Sequence, residues 1–546
     1  MQLTPMMQQY RRIKRETPPS ILMFRLGDFY EMFFDDAVTA SRVLGITLTA
    51  REAGKGNKVP MCGVPYHAAQ EHIARLIRAG HKVAVCDQME DPGLAKGLVK
   101  REVTRVVTPG TAIDEGLLGE RDNNYLAAIH RAGGIFGLCC LDLSTGEFLV
   151  TELEREADLM GEIGRLSPSE FLLPAELAGD REFVARLRGI SAGLVNQCDD
   201  WLFEREGAVR RLRELLRTQS LDGFGCAGLS AGVSAAGAVV QYLRDTGHAS
   251  LGHVTRLSPY STERHMSLDL ATQRNLELVR NLRDGGREGT LISVLDRTST
   301  AMGARLLRRW ILQPLVDTAE IRGRLDAVGE LAADAAASDA VARILSDFKD
   351  TERLIGRIDC GHANARDLLS LAHSLALVPA AAGALAPFKA APLAEARGLL
   401  RDAGGLPELI AAAIDPSAPL TVREGGIIRD GYDAGLDEVR AISRGGKEWI
   451  AELQGREAER TGIKSLKIGY NRVFGYYIEV TKANLPAVPA DYMRKQTLAN
   501  AERFVTPELK EWEEKVLNAE GKAAAMEYAI FQKVREQVVA ETERVQ

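Results

Sequence analysis

From Leu509 to Ile530 apolar side chains return every three or four residues, at Leu509, Trp512, Val516, Ala519, Ala523, Met526 and Ile530. Held for about three heptads, that spacing predicts one long helix with an apolar seam, and such a seam needs a partner to leave water. The helical pattern from about Asp433 to Arg460 supplies one, so the two segments read as antiparallel arms. Between them SLKIGYNRVFGYYIEV carries two β-rich runs around Asn471 to Phe474, a hairpin-like insertion that ends near Pro507. This part of the chain is expected to be a pair of long helices with a small β-rich tip.

The remainder must hold further domains, because one core rarely serves more than about 250 to 300 residues and the chain has 546. Over the first 110 residues Thr4 and Pro5 open a helix as N-cap and first helical residue, and ILMFRLGDFYEMFF reads as strand. ITLTA and KVAVC add strands, EHIARLIRAG a helix, and Pro109-Gly110 close the unit. From about 120 to 250 a meander of NNYLAAIH, GIFGLCCLDL and GEFLVTEL precedes alternating helical and apolar pieces. Beyond Leu268 helical windows such as MGARLLRRWILQPL take over. The expected class is thus multidomain, α/β plus all-α: two mixed α/β domains, then a helical core with long helices and the β-rich tip. The charge-free run from Leu368 to Phe388 contains His373, Pro379, Gly383 and Pro387, and reads as two buried core helices and their connection rather than a membrane span.

Charge is unevenly spread. The net charge is −6, which taken whole argues against a polyanionic partner. Yet residues 1–110 carry 16 Lys+Arg against 11 Asp+Glu, and 464–503 carry seven against three; a protein that touches phosphates need be basic only where it touches. Seven cysteines without a C-x-x-C pair suggest neither a zinc site nor a disulfide framework. His67 and His72, five apart, lack the spacing of a helical zinc pair and are read as structural. With no apolar signal region near the start, the cytoplasm is the expected compartment.

In chain order, PMMQQY, GDFYEMF, MCGVPYHA, KREVTRVVTPGT, DLSTGEF, LATQRNLEL, GTLISVLDRT, MGARLLRRWILQPL, EGGIIRDGYD, GYYIEVTKANLPAVP and RKQTLANAERFVTPELKEWEEKVL resemble segments of the MutS family of mismatch repair proteins. The resemblance covers essentially the whole chain. It implies a mismatch-recognition domain over 1–112, an RNase H-like connector over 113–255 and a helical core with levers over 256–440. A clamp over 441–506 and a returning lever over 507–546 follow, with the chain stopping before the family's ATPase domain. The Phe-x-Glu motif at Phe29 and Glu31 is by resemblance the mismatch reader. The resemblance further implies mismatched or looped double-stranded DNA as ligand and a MutL-type partner; in the complete protein it implies a homodimer with ATP and Mg. No G-x-x-x-x-G-K-[ST] loop occurs in this chain; Gly445-Gly446-Lys447 continues with Glu448. No catalytic residue, metal ligand or cofactor is therefore expected within it.

The residues give the motif physical sense. If ILMFRLGDFYEMFF is one continuous strand, Leu22, Phe24, Leu26, Tyr30, Met32 and Phe34 share an apolar face and Arg25, Phe29 and Glu31 the opposite one. Phe29 is then exposed, with Gly27 beside it allowing close approach. An exposed ring can wedge into a base step from the minor groove, at a cost of about a few kcal/mol for unstacking. A mispaired base is already partly unstacked, so insertion there costs less. Glu31 is expected to hydrogen-bond the displaced base, in protonated form. Candidate phosphate contacts are Arg51, Lys55, Lys58, Lys96, Lys100 and Arg101 in the first domain, and Lys467, Arg472, Arg494, Lys495, Asn500 and Arg503 in the tip. Two rival readings are a metal nuclease using Asp142 and a scaffold for branched DNA.

Overall fold

The computed structural model describes residues 3–17, 19–54, 57–90, 97–247, 250–471 and 475–546. The chain divides into two compact units, one of residues 1–363, 373–404 and 539–546, the other of 364–372 and 405–538.

The first unit begins with helix α1 (Pro5–Glu16), whose N-terminus is closed by the Thr4 hydroxyl accepting from the Met7 amide at 3.4 Å. Six strands follow: β1 (Ile21–Leu26), β2 (Phe29–Phe33), β3 (Thr49–Gly54), β4 (Asn57–Pro65), β5 (Val83–Gln88) and β6 (Arg101–Val107). They form one sheet in the order β3-β4-β2-β1-β5-β6. Helices α2 (Phe34–Leu44) and α3 (Ala69–Arg78) cover one face, burying Ala40, Leu44, Ile73 and Leu76 against Met23, Met32 and Val85. Helix α1 covers the other, setting Met7, Tyr10 and Ile13 against Leu22, Phe24 and Phe33. The Tyr10 ring meets Phe24 and Phe33 edge-on, with centroids 5.5 and 5.0 Å away.

The segment read as one strand is a hairpin. The chain reverses at Gly27-Asp28, where Gly27 takes φ +57°, and β1 pairs antiparallel with β2 in the register Phe24–Glu31, Arg25–Tyr30, Leu26–Phe29. Directly opposed residues share a face, so Phe29 and Glu31 lie with Leu26 and Phe24, while Arg25 lies with Tyr30 on the reverse. The expected grouping of Arg25 with Phe29 and Glu31 is therefore corrected by the turn.

The second sheet holds β7 (Leu126–Ala132), β8 (Ile135–Asp142), β9 (Glu147–Leu153), β10 (Glu170–Leu173), β11 (Leu194–Gln197) and β12 (Ser258–Pro259). Its order is β11-β10-β7-β8-β9-β12: an antiparallel meander, β7 to β9, with β10 and β11 added parallel to β7. The helix Ala231–Asp245 is buried nearly throughout and crosses β8 so closely that a Cβ on Gly137 would stand 2.1 Å from the Ala231 carbonyl carbon. Only glycine fits there.

Between Pro259 and Lys467 no strand forms among the described residues. The run from Leu368 to Phe388 yields the helices Ala365–Ala376 and Val378–Ala384. The first buries Leu368, Leu371 and Leu375, but the second buries only Ala381, so the expectation of two buried helices holds for one. The extra alanines of the second carry too little apolar area to need covering.

In the second unit the helix Ala434–Thr461 runs beside the helix Pro507–Ala540. Trp512 of the seam stacks on Trp449 at 4.5 Å, and ion pairs Arg456–Glu508 and Arg440–Glu527, both 2.8 Å, tie the two arms. Glu527 also accepts from the Ile427 and Ile428 amides, at 2.7 and 3.2 Å, which accounts for the EGGIIRDGYD segment: its backbone docks on a carboxylate of the returning arm. At the tip, β13 (Lys467–Asn471), β14 (Gly475–Thr481), β15 (Met493–Thr497) and β16 (Ala501–Val505) form a sheet in the order β13-β14-β16-β15. Ile478, Val480 and Phe504 pack there against Leu453 and Leu509 of the arms.

Candidate nucleic-acid interface

The β1–β2 hairpin lifts Phe29 to the end of the sheet, where α1 no longer covers it. The ring is 46% exposed, while Phe24 and Phe33 on the same face are completely buried. Beneath the tip the Tyr66 amide donates to the Asp28 carbonyl at 2.9 Å. On the reverse face the Arg25 guanidinium lies 3.7 Å from the Tyr66 ring centroid. This Arg25–Tyr66 stack stiffens the hairpin from behind; its partners stand about forty positions apart, and only the strand register, not local pattern, brings them together.

Glu31 is two residues further along β2. Its side chain is only 15% exposed and forms an ion pair with Arg51 of β3. Between them β4 contributes Gly63, directly opposite Glu31, where an added Cβ would touch the Glu31 Cγ at 3.4 Å. The missing side chain leaves the path from β2 to β3 open. Arg51, expected to face phosphate, is thus the counter-ion of Glu31 in the DNA-free protein.

The other basic candidates separate by environment. Lys58 and Lys100 are exposed, the latter paired with Glu102 at 2.7 Å. Arg101 is 5% exposed; it donates to the Arg25 carbonyl at 2.7 Å, the Val99 carbonyl at 2.9 Å and Gln9 at 3.0 Å, beside the Phe24 ring. Its burial and these three bonds hold it inside the domain, so it leaves the set of phosphate contacts. At the tip Lys467, Lys495 and Asn500 are exposed, and Arg494 is exposed with a loose 3.6 Å approach to Glu502. Arg503 is half-buried, bonded to Glu479 and Gln496 and stacked on Tyr477 at 4.1 Å; it holds the sheet together. Lys55, Lys96 and Arg472 lie outside the described residues.

Asp142, the residue a nuclease would need, is fully buried. Its carboxylate accepts from the Ser144 amide and hydroxyl at 3.0 and 2.6 Å, from Asn123 at 2.9 Å and from the Asn124 amide at 3.1 Å. Four donors saturate it, so it shapes the β8–β9 turn of the DLSTGEF segment and has no lone pair aimed at a metal. A buried group of His253, Asp359 and Cys360 is no better placed, because both imidazole nitrogens are engaged, with Asp359 at 3.0 Å and the Leu143 carbonyl at 2.7 Å.

Family models match in three consecutive stretches: MutS domain I over residues 4–116, MutS domain II over 124–255 and MutS domain III over 271–546. The chain belongs to the MutS family. Among its curated MutS relatives, the DNA mismatch repair protein MutS of Symbiobacterium thermophilum is 51% identical over 547 residues, which is 100% of this chain and 62% of the relative. That of Solibacter usitatus is 47% identical over 99% of the chain and 62% of the relative. That of Anaeromyxobacter dehalogenans strain 2CP-C is 50% identical over 99% and 61%. The chain spans about three fifths of the length of these MutS relatives. The exposed hairpin lies in the domain I match and the four-stranded tip in the domain III match.

Proposed function

We propose that this chain recognises mispaired or unpaired bases in double-stranded DNA for mismatch repair, inserting Phe29 into the minor groove while the four-stranded tip grips the backbone. The observation that carries the reading is the exposure of Phe29 at the end of an otherwise sealed aromatic face. An apolar ring in water gains by burial, and a weakened base step offers that burial at the lowest unstacking cost. In the complete protein this recognition is coupled to ATP and Mg, to a homodimer and to a MutL-type partner. Titrating a homoduplex, a G·T duplex and a four-way junction tests the proposal: tightest binding to G·T supports it, and tightest binding to the junction would assign the chain to branched DNA instead.

Glu31 hydrogen-bonds the displaced base in this mechanism, and Arg51 is the switch that frees it. When Arg51 turns to a phosphate, the Glu31 side chain loses its ion-pair partner and is free to meet the base. In Glu31→Gln the ion pair is gone from the start and Arg51 is available to every duplex. Homoduplex affinity is expected to rise by up to about fivefold, the worth of one exposed charge contact, and mismatch preference to narrow. Unchanged discrimination in the titration would remove Glu31 from the mechanism.

The tip contributes without reading sequence. Reversing two exposed charges, Lys467→Glu with Lys495→Glu, is expected to weaken homoduplex and mismatch binding by the same factor. It should also flatten the dependence of log K on log salt by about 0.9 per lost phosphate contact. A selective loss on one DNA, or an unchanged slope, contradicts the assignment.

A further inference from the structure

Apart from the Phe29 hairpin, the first unit contains a cavity of about 430 Å³ between the helix Glu156–Leu166, the turn after Ile190 and the helices Leu270–Asn275 and Ala301–Leu312. Its wall includes Arg165, Arg274, Arg280 and Arg308 and no acidic residue. Two smaller cavities of about 190 and 160 Å³ open beside it, and both share Arg280 and Arg308. Arg165 is satisfied by Glu162. Arg308 is only 22% exposed, and among the described residues its one ion pair is a 3.3 Å contact to Asp122, itself largely in water. The Arg274 and Arg280 side chains are exposed and have no ion pair or hydrogen bond among the described residues.

Such a concentration of like charge opposes itself. Burial lowers the Arg308 guanidinium below its ordinary range, Asp122 offsets this in part, and repulsion by Arg280 and Arg287 lowers it further. A bound anion would relieve the repulsion and occupy the unused forks together. Guanidinium groups match phosphoryl oxygens bidentately, and a cavity of this volume suits a small ligand. We propose that this cavity is a binding site for a compact oligophosphate, held by Arg280 and Arg308 with Arg274 at the rim.

The test is calorimetric titration of the full chain with inorganic tripolyphosphate, without divalent cations and at fixed ionic strength. Saturable binding is expected, weakened at least about tenfold in Arg280→Glu and in Arg308→Gln, the loss of one charge-assisted contact. Arg155→Glu, altering an exposed arginine on a different surface, should leave it unchanged. Because the exposed Arg280 side chain has no ion pair or hydrogen bond among the described residues, its variant is expected to melt with the parent, which separates lost binding from lost fold. A nucleoside triphosphate that binds more tightly with the same Arg280 dependence supports the site and names nucleotides as the source of the phosphates; equal binding points to oligophosphate alone. Absence of saturable binding, or binding indifferent to both substitutions, overturns the proposal. So does a hexaglutamate peptide that binds more tightly with the same Arg280 dependence, since the cavity would then be a dock for an acidic protein segment.

Discussion

Phe29→Ala is expected to bring the ratio of mismatch to homoduplex affinity down to near one while leaving the protein folded. The ring is exposed and belongs to neither core cluster of its sheet, so truncation should shift stability by no more than about 0.5 kcal/mol, as for ordinary surface substitutions. Homoduplex affinity should change little, because the sequence-blind phosphate contacts supply most of it. What disappears is the energy difference between wedging an intact step and a defective one. Each factor of ten in selectivity corresponds to about 1.4 kcal/mol, and that is a fraction of the few kcal/mol needed to unstack a sound step. The titration should be made in this chain and in a protein extended to the length of its relatives. Phe29→Leu, which keeps an apolar wedge without an aromatic face, should retain part of the preference. If the alanine variant discriminates as well as the parent, insertion of this ring is not how mismatches are found.

The arms were legible in the sequence because their signal is periodic and long. Seven apolar positions at helical spacing end with Trp512 stacked on Trp449, and no intervening tertiary contact can disguise such a run. The hairpin carrying Phe29 is harder to see. Its sheet is covered by helices on both faces, so Ile21, Leu22, Met23 and Phe24 are all buried and the alternation that would mark a reversal is lost. The glycine-first pair Gly27-Asp28 is the available signal, being the pattern of a two-residue loop with positive φ at its first position. At the tip, the β15–β16 hairpin is masked by Arg494, Lys495, Glu502 and Arg503, which dilute the apolar pattern. Arg101 stands in a basic run yet is buried, because two of its acceptors come from Gln9 and Arg25, on elements far away in the chain. Local charge tells where a cation sits in sequence; burial depends on neighbours that only the sheet order brings near.

Glu170→Gln is expected to loosen the joint between the first two domains, at a cost of about 2–4 kcal/mol. Glu170 is fully buried at the start of β10. One carboxylate oxygen accepts from the Gly110 amide at 2.9 Å and from the Thr108 hydroxyl; the other accepts from Tyr242 at 2.6 Å and Asn196 at 2.7 Å, with Lys82 at 3.9 Å. Gly110 approaches so near that a Cβ there would stand 2.8 Å from the Glu170 Cβ, so the VVTPGT segment is shaped to deliver its amide. Every partner is a donor, and an amide can accept on one side only. The Thr108 and Tyr242 hydroxyls can turn to accept, but the Gly110 amide stands on one side and the Asn196 NH2 on the other, so glutamine's NH2 confronts a donor whichever way it turns and leaves a buried group unsatisfied at about 1–3 kcal/mol. Burial already lowers the Lys82 amine below its usual range despite Glu170, and removing the charge opposite leaves that ammonium less compensated. The damage should be local: faster proteolytic cutting between residues 108 and 124 and loss of protection at the Gly110 amide, with a lower unfolding midpoint. Mismatch preference should survive in the molecules that stay folded, because the β1–β2 register that presents Phe29 involves none of these groups. A melting temperature and cleavage rate equal to the parent's would mean the carboxylate is not what joins the two domains.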